Sequence, residues 1–259
     1  MIFIIRNKLH VPDFAVKIIT VVFWLFIWQA IYVFVGQEIL VVSPACVFVR
    51  LCHLIADGGF WLTAFATMGR IMEGFIIGVL SGLVLAVFAA RSHVCRTLMQ
   101  PVVFIVKATP VASFIILALV WMHADFVPAF SASLIVFPII WENVLEGIQK
   151  TDEKLLQMGQ MFQFGKMKTA GRIYVPSVAP YFTAACTTGL GLSWKGGVAA
   201  EVLSDLPFSV GGHIYDSKIY LETADLFAWT AVVIIFSVFL EFLMKRLMKA
   251  ATDKFSLNI

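Results

Sequence analysis

Charged side chains are scarce in this sequence. Asp, Glu, Lys and Arg make up 14% of the 259 residues, whereas about 25% is typical of soluble domains. Hydrophobic residues make up 61% and form long continuous runs rather than the alternating segments of about ten residues found in membrane β-barrels. The composition argues against a soluble enzyme, a disordered chain and a nucleic-acid-binding protein. It predicts an all-α, polytopic membrane helix bundle.

Motifs for nucleotide, metal and hydrolytic chemistry are also missing. The sequence contains no GxxxxGK[ST] and no HExxH, and its five histidines are scattered. We therefore expect no phosphate-cradling loop, no metal site, no cofactor and no catalytic residues in this chain. The four cysteines show no metal-ligand spacing. Four free thiols are favoured over a Cys46–Cys52 disulfide, which an oxidising compartment would permit.

Six apolar runs predict about six transmembrane helices. They are Ile18–Val35, Leu62–Ala90, Leu98–Met122, Ala129–Trp141, Tyr181–Val202 and Leu226–Phe242. If the N-terminus is cytoplasmic, the cytoplasmic loops receive fourteen Lys and Arg residues, beginning with Arg6, Lys8 and Lys17, and the outer loops receive only Arg50 and Lys218. The positive-inside rule then predicts that both termini are cytoplasmic.

The longest polar stretch between spans, residues 142–179, predicts a short helix on the cytoplasmic face. Thr151 can cap it, and the apolar residues of about 152–163 recur at helical spacing: Leu155, Leu156, Met158, Met161 and Phe162. Gly165 permits a bend, and a basic second helix is expected to stop before Pro176. Such a helix either rests on the lipid interface or docks into another protein, and the residues alone leave both alternatives open.

A few charged residues fall inside the apolar runs, where charge usually faces the bundle interior or a water-filled path. Lys195 either lines a solute pathway or forms an ion pair with a neighbouring helix. Arg70 and Glu73 are three positions apart and are expected to pair on one helix face. Lys107 lies next to Pro110, at an expected helix break in the bundle interior.

The second run carries small residues at every fourth position. They are Gly74, Gly78, Gly82, Ala86 and Ala90. Such a stripe allows another helix to pack closely, so we expect a helix–helix contact here rather than a ligand site.

Four stretches together resemble the inner-membrane permease subunits of binding-protein-dependent ABC importers, and the nitrate/sulfonate/taurine branch looks nearest. They are Thr67-x-x-Arg70-x-x-x-Gly74-Phe75, Pro101 with Lys107-Ala108-Thr109-Pro110, Thr151-Asp152 through Val175-Pro176-Ser177-x-x-Pro180-Tyr181-Phe182, and Trp194-Lys195-Gly196-Gly197-Val198-Ala199-Ala200-Glu201. The resemblance covers about residues 60–246. It implies an N-terminal helix and external loop over 1–59, a permease domain over 60–246 and a cytoplasmic tail over 247–259.

The family's loop signature opens with Glu-Ala-Ala, continues to a Gly and ends with Ile-x-Leu-Pro. Alignment on Pro176 places Gln157-Met158-Gly159 at the opening and Gln163 at the Gly. The ending, Ile173-Tyr174-Val175-Pro176, matches the signature, whereas the opening and the Gly do not.

The resemblance implies a type I importer permease, which conducts a small solute and hydrolyses no ATP itself. Two copies of the chain, expected as a homodimer in the inner membrane, would enclose the pathway, and an extracytoplasmic solute-binding protein would deliver the solute. Cytoplasmic ATPase subunits would dock on the loop through Gln157, Met158, Gly159, Met161, Phe162, Gly165 and Pro176. The pathway candidates are Lys195, Lys107, Arg70 and Glu73, and the cation at Lys195 favours an anionic solute. The alternative is an ion-coupled secondary transporter.

Overall fold

The computed structural model describes residues 13–256, in which every regular element is helical. The helices are α1 (Asp13–Val35), α2 (Pro44–Ala56), α3 (Gly58–Arg91), α4 (His93–Ala108), α5 (Val111–Trp121), α6 (Val127–Gln149), α7 (Glu153–Met161), α8 (Lys166–Thr169), α9 (Val175–Leu203), α10 (Val210–Ile219) and α11 (Thr223–Ser256). A 3₁₀ turn, Ala124–Phe126, precedes α6, and a π-helical turn, Ala170–Tyr174, joins α8 to α9. Arg6, Lys8 and residues 257–259 of the expected tail lie outside the described residues.

The predicted all-α membrane bundle is confirmed. Four helices, α1, α3, α6 and α11, are long and apolar enough to cross a membrane, and α4 with α5 passes the same test as a bent pair. The fifth predicted run, Tyr181–Val202, lies in α9, which has 29 residues and therefore extends about 43 Å at 1.5 Å per residue. α9 does not pass the same test of length and hydropathy, so the described residues give up to five spans where about six were predicted. This helix is richer in Gly, Ser and Thr than the other long helices, and most of its C-terminal half is buried.

The centre of the bundle is α6, which packs between α3 and α9. The glycines of the small-residue stripe of α3, Gly74, Gly78 and Gly82, pack against α6, which confirms the predicted helix–helix contact there, whereas Ala90 at the end of the stripe is exposed. A Cβ atom at Gly74 would lie 2.0 Å from the carbonyl oxygen of Ala129, and one at Gly78 would lie 2.8 Å from that of Ser133. Glycine is required at these positions because the two backbones approach too closely for any side chain.

The expected helix break at Pro110 is present. α4 ends at Ala108, α5 starts at Val111, and the axes of the two helices differ by 104°. Pro110 has no N–H to continue the α4 ladder, and proline also restricts the residue before it, so Thr109 is extended, with ψ 129°. Lys107 thus lies in the last turn before the break.

Two short helices lie in segments where no helix was predicted. α2, in the expected external loop, begins with Ser43 as its N-cap and Pro44 in its first turn. α10 is capped by the buried Ser209, whose hydroxyl accepts a hydrogen bond from the Gly212 N–H. The last helix, α11, continues through the expected tail as far as Ser256.

Candidate functional site

The segment from Lys150 to Pro176, here named the α7 loop, contains the predicted short helix. α7 covers Glu153–Met161, but its N-cap is Asp152, whose carboxylate accepts a hydrogen bond from the Lys154 N–H at 2.8 Å. The prediction that Thr151 caps this helix is wrong. Thr151 is buried and donates its hydroxyl hydrogen bond to the Gly147 carbonyl at the end of α6.

The apolar face of α7 is exposed in the described chain. The side chains of Met161 and Phe162 are 84% and 69% exposed. Leu155, Met158 and Met167 are exposed as well. We call these five residues the docking face. Gln157 is also exposed, so the chain itself leaves this side of α7 uncovered.

Two predicted docking residues, Gly159 and Gln163, shape the loop. Gly159 is buried, and a Cβ atom there would lie 2.9 Å from the Cδ1 atom of Ile173. Gln163 has φ 52°, in the left-handed region that glycine adopts most readily. Alignment on Pro176 places Gln163 at the Gly of the family signature, and the Gln163 backbone has a conformation that favours glycine although the side chain differs. Gly165 has φ −64° and makes no such turn.

The expectation that the basic second helix stops before Pro176 is wrong. α8, the π turn and α9 follow one another without interruption, and Pro176 lies in the first turn of α9. The wide turn is closed by the Val175 N–H, which bonds to the Ala170 carbonyl five residues back. Since Pro176 has no N–H to donate, proline is tolerated where the π turn passes into a new helical register.

Lys107 forms an ion pair with Glu142 of α6. Its Nζ atom lies 2.9 Å from Oε1 and 2.7 Å from Oε2 of the carboxylate. Both side chains remain about half exposed. The pair borders a cavity of about 560 Å³ between α4 and α6, so Lys107 lies on an open wall of the bundle rather than in its packed interior.

Arg70 does not pair with Glu73. Its Nη1 atom donates to Oε1 of Glu201 at 3.1 Å, and Glu73 is exposed, with no ion pair recorded for it in the described part of the chain. The predicted i, i+3 pair with Glu73 is wrong because Arg70 points from α3 towards α9. There the Glu201 carboxylate is fully buried, and its attraction to the Arg70 charge is less screened by water than that of the exposed Glu73.

Glu201 is the centre of a buried polar cluster. Its Oε2 atom accepts hydrogen bonds from the Thr67 hydroxyl at 3.0 Å and from the Gly211 N–H at 3.1 Å. The Thr67 oxygen in turn accepts from the Val210 N–H at 3.0 Å. The cluster therefore joins α3, α9 and the N-terminus of α10. Both oxygens of the buried Glu201 carboxylate accept hydrogen bonds from these elements.

Lys195 is exposed on α9, between the buried residues Trp194 and Gly196, and no ion pair is recorded for it within residues 13–256. A Cβ atom at Gly196 would lie 3.9 Å from the Cγ1 atom of Val111, so this part of α9 runs beside the start of α5. The structure places Lys107 in the last turn before the helix break and Lys195 at an exposed position of α9. It does not bring them together with Arg70 and Glu73.

Sequence reasoning missed Glu142 as the partner of Lys107 and Thr67 with Glu201 as the partners of Arg70. The sequence places Glu142 at the start of a polar stretch between spans, but α6 extends to Gln149. Thr67, Arg70 and Glu201 all occur in the stretches that carry the family resemblance, and this was the available signal. Nothing in the sequence spacing relates α3 to α9.

Comparisons with known proteins agree with this architecture. Residues 78–253 match the family described as binding-protein-dependent transport system inner membrane component. A putative aliphatic sulfonates transport permease of Bacillus subtilis is 24% identical over 82% of this chain and 76% of its own length. A nitrate import permease of Synechocystis sp. is 25% identical over 78% of this chain and 74% of its own.

A solved structure shows the same fold. The crystal structure of an amino acid ABC transporter with histidines matches with a TM-score of 0.60 and 13% identity, covering 80% of this chain and 95% of that chain. The family match covers more than half of the chain, and the glycine stripe, the broken span and the α7 loop occur within a fold of this type. The chain belongs to the family of inner-membrane components of binding-protein-dependent ABC transport systems.

Proposed function

We propose that this chain is the solute-conducting permease subunit of an ABC importer and that two copies enclose the pathway. The observation that carries the proposal is the placement of charge. The Lys107–Glu142 pair is exposed beside the break between α4 and α5, and Lys195 is exposed on α9. Charge at such positions is expensive against lipid. A second copy enclosing a water-filled path would remove this cost.

The docking face supports a partner on the α7 loop. Five apolar side chains around a short helix are left uncovered, and methionine and phenylalanine suit an adaptable contact surface. A cytoplasmic ATPase would use this surface, because the sequence itself has no phosphate-binding loop. A solute-binding protein would deliver the solute from the opposite side of the membrane.

The solute is proposed to be small and to carry an anionic group. Relatives named for sulfonates and for nitrate handle anions, and the exposed cation at Lys195 is suited to attract one. Replacing Lys195 with Met should lower uptake several-fold and leave ATPase association unchanged. Unchanged uptake would show that Lys195 does not contribute to the solute pathway.

The orientation follows from the distribution of Lys and Arg, with both termini cytoplasmic. The four cysteines are free, and Cys52 is exposed on α2 whereas Cys95 lies at the start of α4. Single-cysteine variants treated in intact cells with a membrane-impermeant thiol reagent should be labelled at Cys52 and protected at Cys95. Labelling of Cys95 alone would show that the chain has the opposite orientation in the membrane.

Docking is tested by Phe162→Asp, with Phe208→Asp as the matched control because Phe208 is also exposed but lies outside the α7 loop. Truncating a buried anchor costs about 2 kcal/mol or more of binding. The first variant should insert normally but lose several-fold in co-purified ATPase and in ATP-dependent uptake, and the control should keep both. Normal recovery and uptake with Phe162→Asp would favour a lipid-facing α7, and uptake without any ATPase would favour a secondary transporter.

A further inference from the structure

A second cavity, here named the π-turn cavity, lies where three long helices end on the same side of the bundle. It has a volume of about 730 Å³ and is bordered by the last turns of α3 and α6, by the π turn with the start of α9, and by Met248 of α11. The apolar spans of α3, α6 and α11 end at Arg91, Gln149 and Ala250. Since all three spans end beside this cavity, it lies at the depth where lipid headgroups meet acyl chains.

The walls of the π-turn cavity are apolar. All of its lining residues are apolar except Arg91, Tyr174 and Thr183. The Thr183 hydroxyl already donates a hydrogen bond to the Ala179 carbonyl at 2.8 Å, which leaves Arg91 and Tyr174 as the polar groups for a ligand. Apolar walls hold water poorly, because each buried water needs several polar partners. The cavity is therefore suited to a hydrocarbon chain.

The polar edge of the cavity is cationic. Arg91 is the last residue of α3, it is exposed, and no ion pair is recorded for it among residues 13–256. The described residues that line the cavity include no Asp or Glu. The carboxylate of Glu146, at the same end of α6, is paired with Lys150 at 2.6 Å. Tyr174 adds a phenolic hydroxyl, so an anionic headgroup would meet a guanidinium and a hydroxyl donor.

We propose that the π-turn cavity binds one acyl chain of an anionic glycerophospholipid from the surrounding membrane. The Arg91 guanidinium pairs with the lipid phosphate, whose geometry its planar fork of donors matches, and the Tyr174 hydroxyl donates to a phosphate or ester oxygen. The buried methylene groups of the chain supply the rest of the affinity. The lipid enters sideways from the membrane, because two lining residues, Ala90 and Pro180, are exposed on the surface of the described chain.

A bound acyl chain also supports the α7 loop. Ala170 and Tyr174 of the cavity wall belong to the π turn, and Val175 follows it. The buried Ile173 of the same turn lies against Gly159 of α7. An empty cavity leaves one side of the π turn without packing partners. Occupancy therefore orders the π turn and, through Ile173, the position of α7.

The first test compares two lipids with identical acyl chains, dioleoyl phosphatidylglycerol and dioleoyl phosphatidylcholine, added to the full chain in detergent. The readout is the melting temperature, because a ligand that binds only the folded chain raises it. The anionic lipid should reach half of its effect at a concentration about fivefold lower than the neutral lipid. Glycerol 1-phosphate, a headgroup without a chain, should cause no rise. An equal rise with glycerol 1-phosphate would mean a site for free phosphate esters and would overturn the inference.

Variants of the cavity wall locate the binding. Arg91→Gln should lose the preference for the anionic lipid, whereas Arg96→Gln, a nearby cation outside the cavity lining, should keep it. Val87→Phe fills the cavity from α3 and should weaken binding of both lipids about tenfold. Its control is Val84→Phe, since Val84 is on the same helix but is 50% exposed and outside the lining. Because Arg91 is exposed, Arg91→Gln remains a decisive test if Val87→Phe impairs folding.

Equal affinities of the wild-type chain for the two lipids, or a wild-type preference in Arg91→Gln, would show that the assignment is wrong. If a second copy of the chain fills the cavity instead, the melting temperature will depend on protein concentration and on neither lipid, which also contradicts the inference.

Hydrogen exchange measures the effect on the α7 loop. With the anionic lipid bound, the backbone amides of residues 170–175 and of α7 should exchange several-fold more slowly. The amides of α5 serve as the reference, because no residue of α5 lines the cavity. Unchanged exchange in the π turn with lipid bound would refute the support of the loop. These measurements use neither an ATPase nor a solute, so their outcome is independent of the proposed import function.

Discussion

The α3–α6 contact and the α7 loop both carry a regular helical sequence pattern, but only the patterned face of α3 is packed against another helix of the same chain. In α3, small residues at every fourth position bring the helix against the backbone of α6, so that Gly74 leaves no room for a methyl group. In α7, most of an apolar face of similar regularity is exposed, with Met161 84% exposed and only Leu156 half-buried. A periodic pattern therefore reveals which side of a helix makes a contact. It does not reveal whether the contacting partner belongs to the same chain.

The largest effect is expected from Gly74→Ala. The added Cβ would lie 2.0 Å from the Ala129 carbonyl oxygen, so α3 and α6 must separate, and overpacking of this kind costs about 3 kcal/mol. The melting temperature in detergent should fall by several degrees or more. Gly69→Ala is the control, because nothing lies within 4 Å of its added Cβ. That variant should melt at or slightly above the wild-type temperature, and equal behaviour of the two would refute the close contact.

A smaller loss is expected from Glu201→Gln in the buried cluster. The amide keeps the shape but removes the charge that Arg70 faces, and it presents an N–H₂ group where Oε1 or Oε2 accepts hydrogen bonds. Because Arg70 is partly exposed, water reduces the cost to about 2 kcal/mol. Glu73→Gln should change the melting temperature little, since that side chain is exposed. If Glu73→Gln proved as harmful, the pairing of Arg70 with Glu201 would be wrong.

Met161→Ala should separate stability from association. The exposed side chain contributes little to folding, so the free energy of unfolding should change by less than about 0.5 kcal/mol. Binding of a partner ATPase, measured by titration in nanodiscs, should weaken about fivefold or more. A clear loss of stability with normal binding would mean that α7 folds back onto its own chain, and the contrast with α3 would disappear.

The smallest effect is expected from Gln163→Gly. Glycine adopts the left-handed conformation at φ 52° without the steric cost of a Cβ, but it also makes the unfolded chain more flexible. The two effects partly cancel, and a gain of about 0.5 kcal/mol is expected in thermal unfolding. Gln160→Gly, in the helical part of the same loop, should instead lose about 1 kcal/mol.

Features encoded by local spacing could be predicted from the sequence. The glycine stripe, the break at Pro110 and the short helix after residue 152 all follow from residues close together in the chain. The pairing of Arg70 could not be predicted, because Glu201 lies 131 positions away and only the packing of α3 against α9 brings them together. The docking residues were placed on a helix, but their exposure depended on how α7 lies against the bundle.

Predictions failed locally where two residues compete for one role. Thr151 and Asp152 can both cap a helix, and burial of Thr151 against α6 leaves Asp152 to do so. Pro176 predicts a helix stop by its chemistry, but the π turn before it accommodates the missing N–H. These outcomes are decided by tertiary packing that neighbouring residues do not encode.

The uninterrupted path from α8 through the π turn into α9 has a mechanical consequence. This continuous helical path from Lys166 to Leu203 is about 57 Å long at 1.5 Å per residue, and it begins after α7 and ends beside the buried Glu201 cluster. The least regular part of this helical path is the π turn, where the hydrogen-bonding register of α8 changes to that of α9. A push on the loop would therefore reach the far end as a twist as well as a shift, and the cluster that joins α3, α9 and α10 is where that twist would meet resistance.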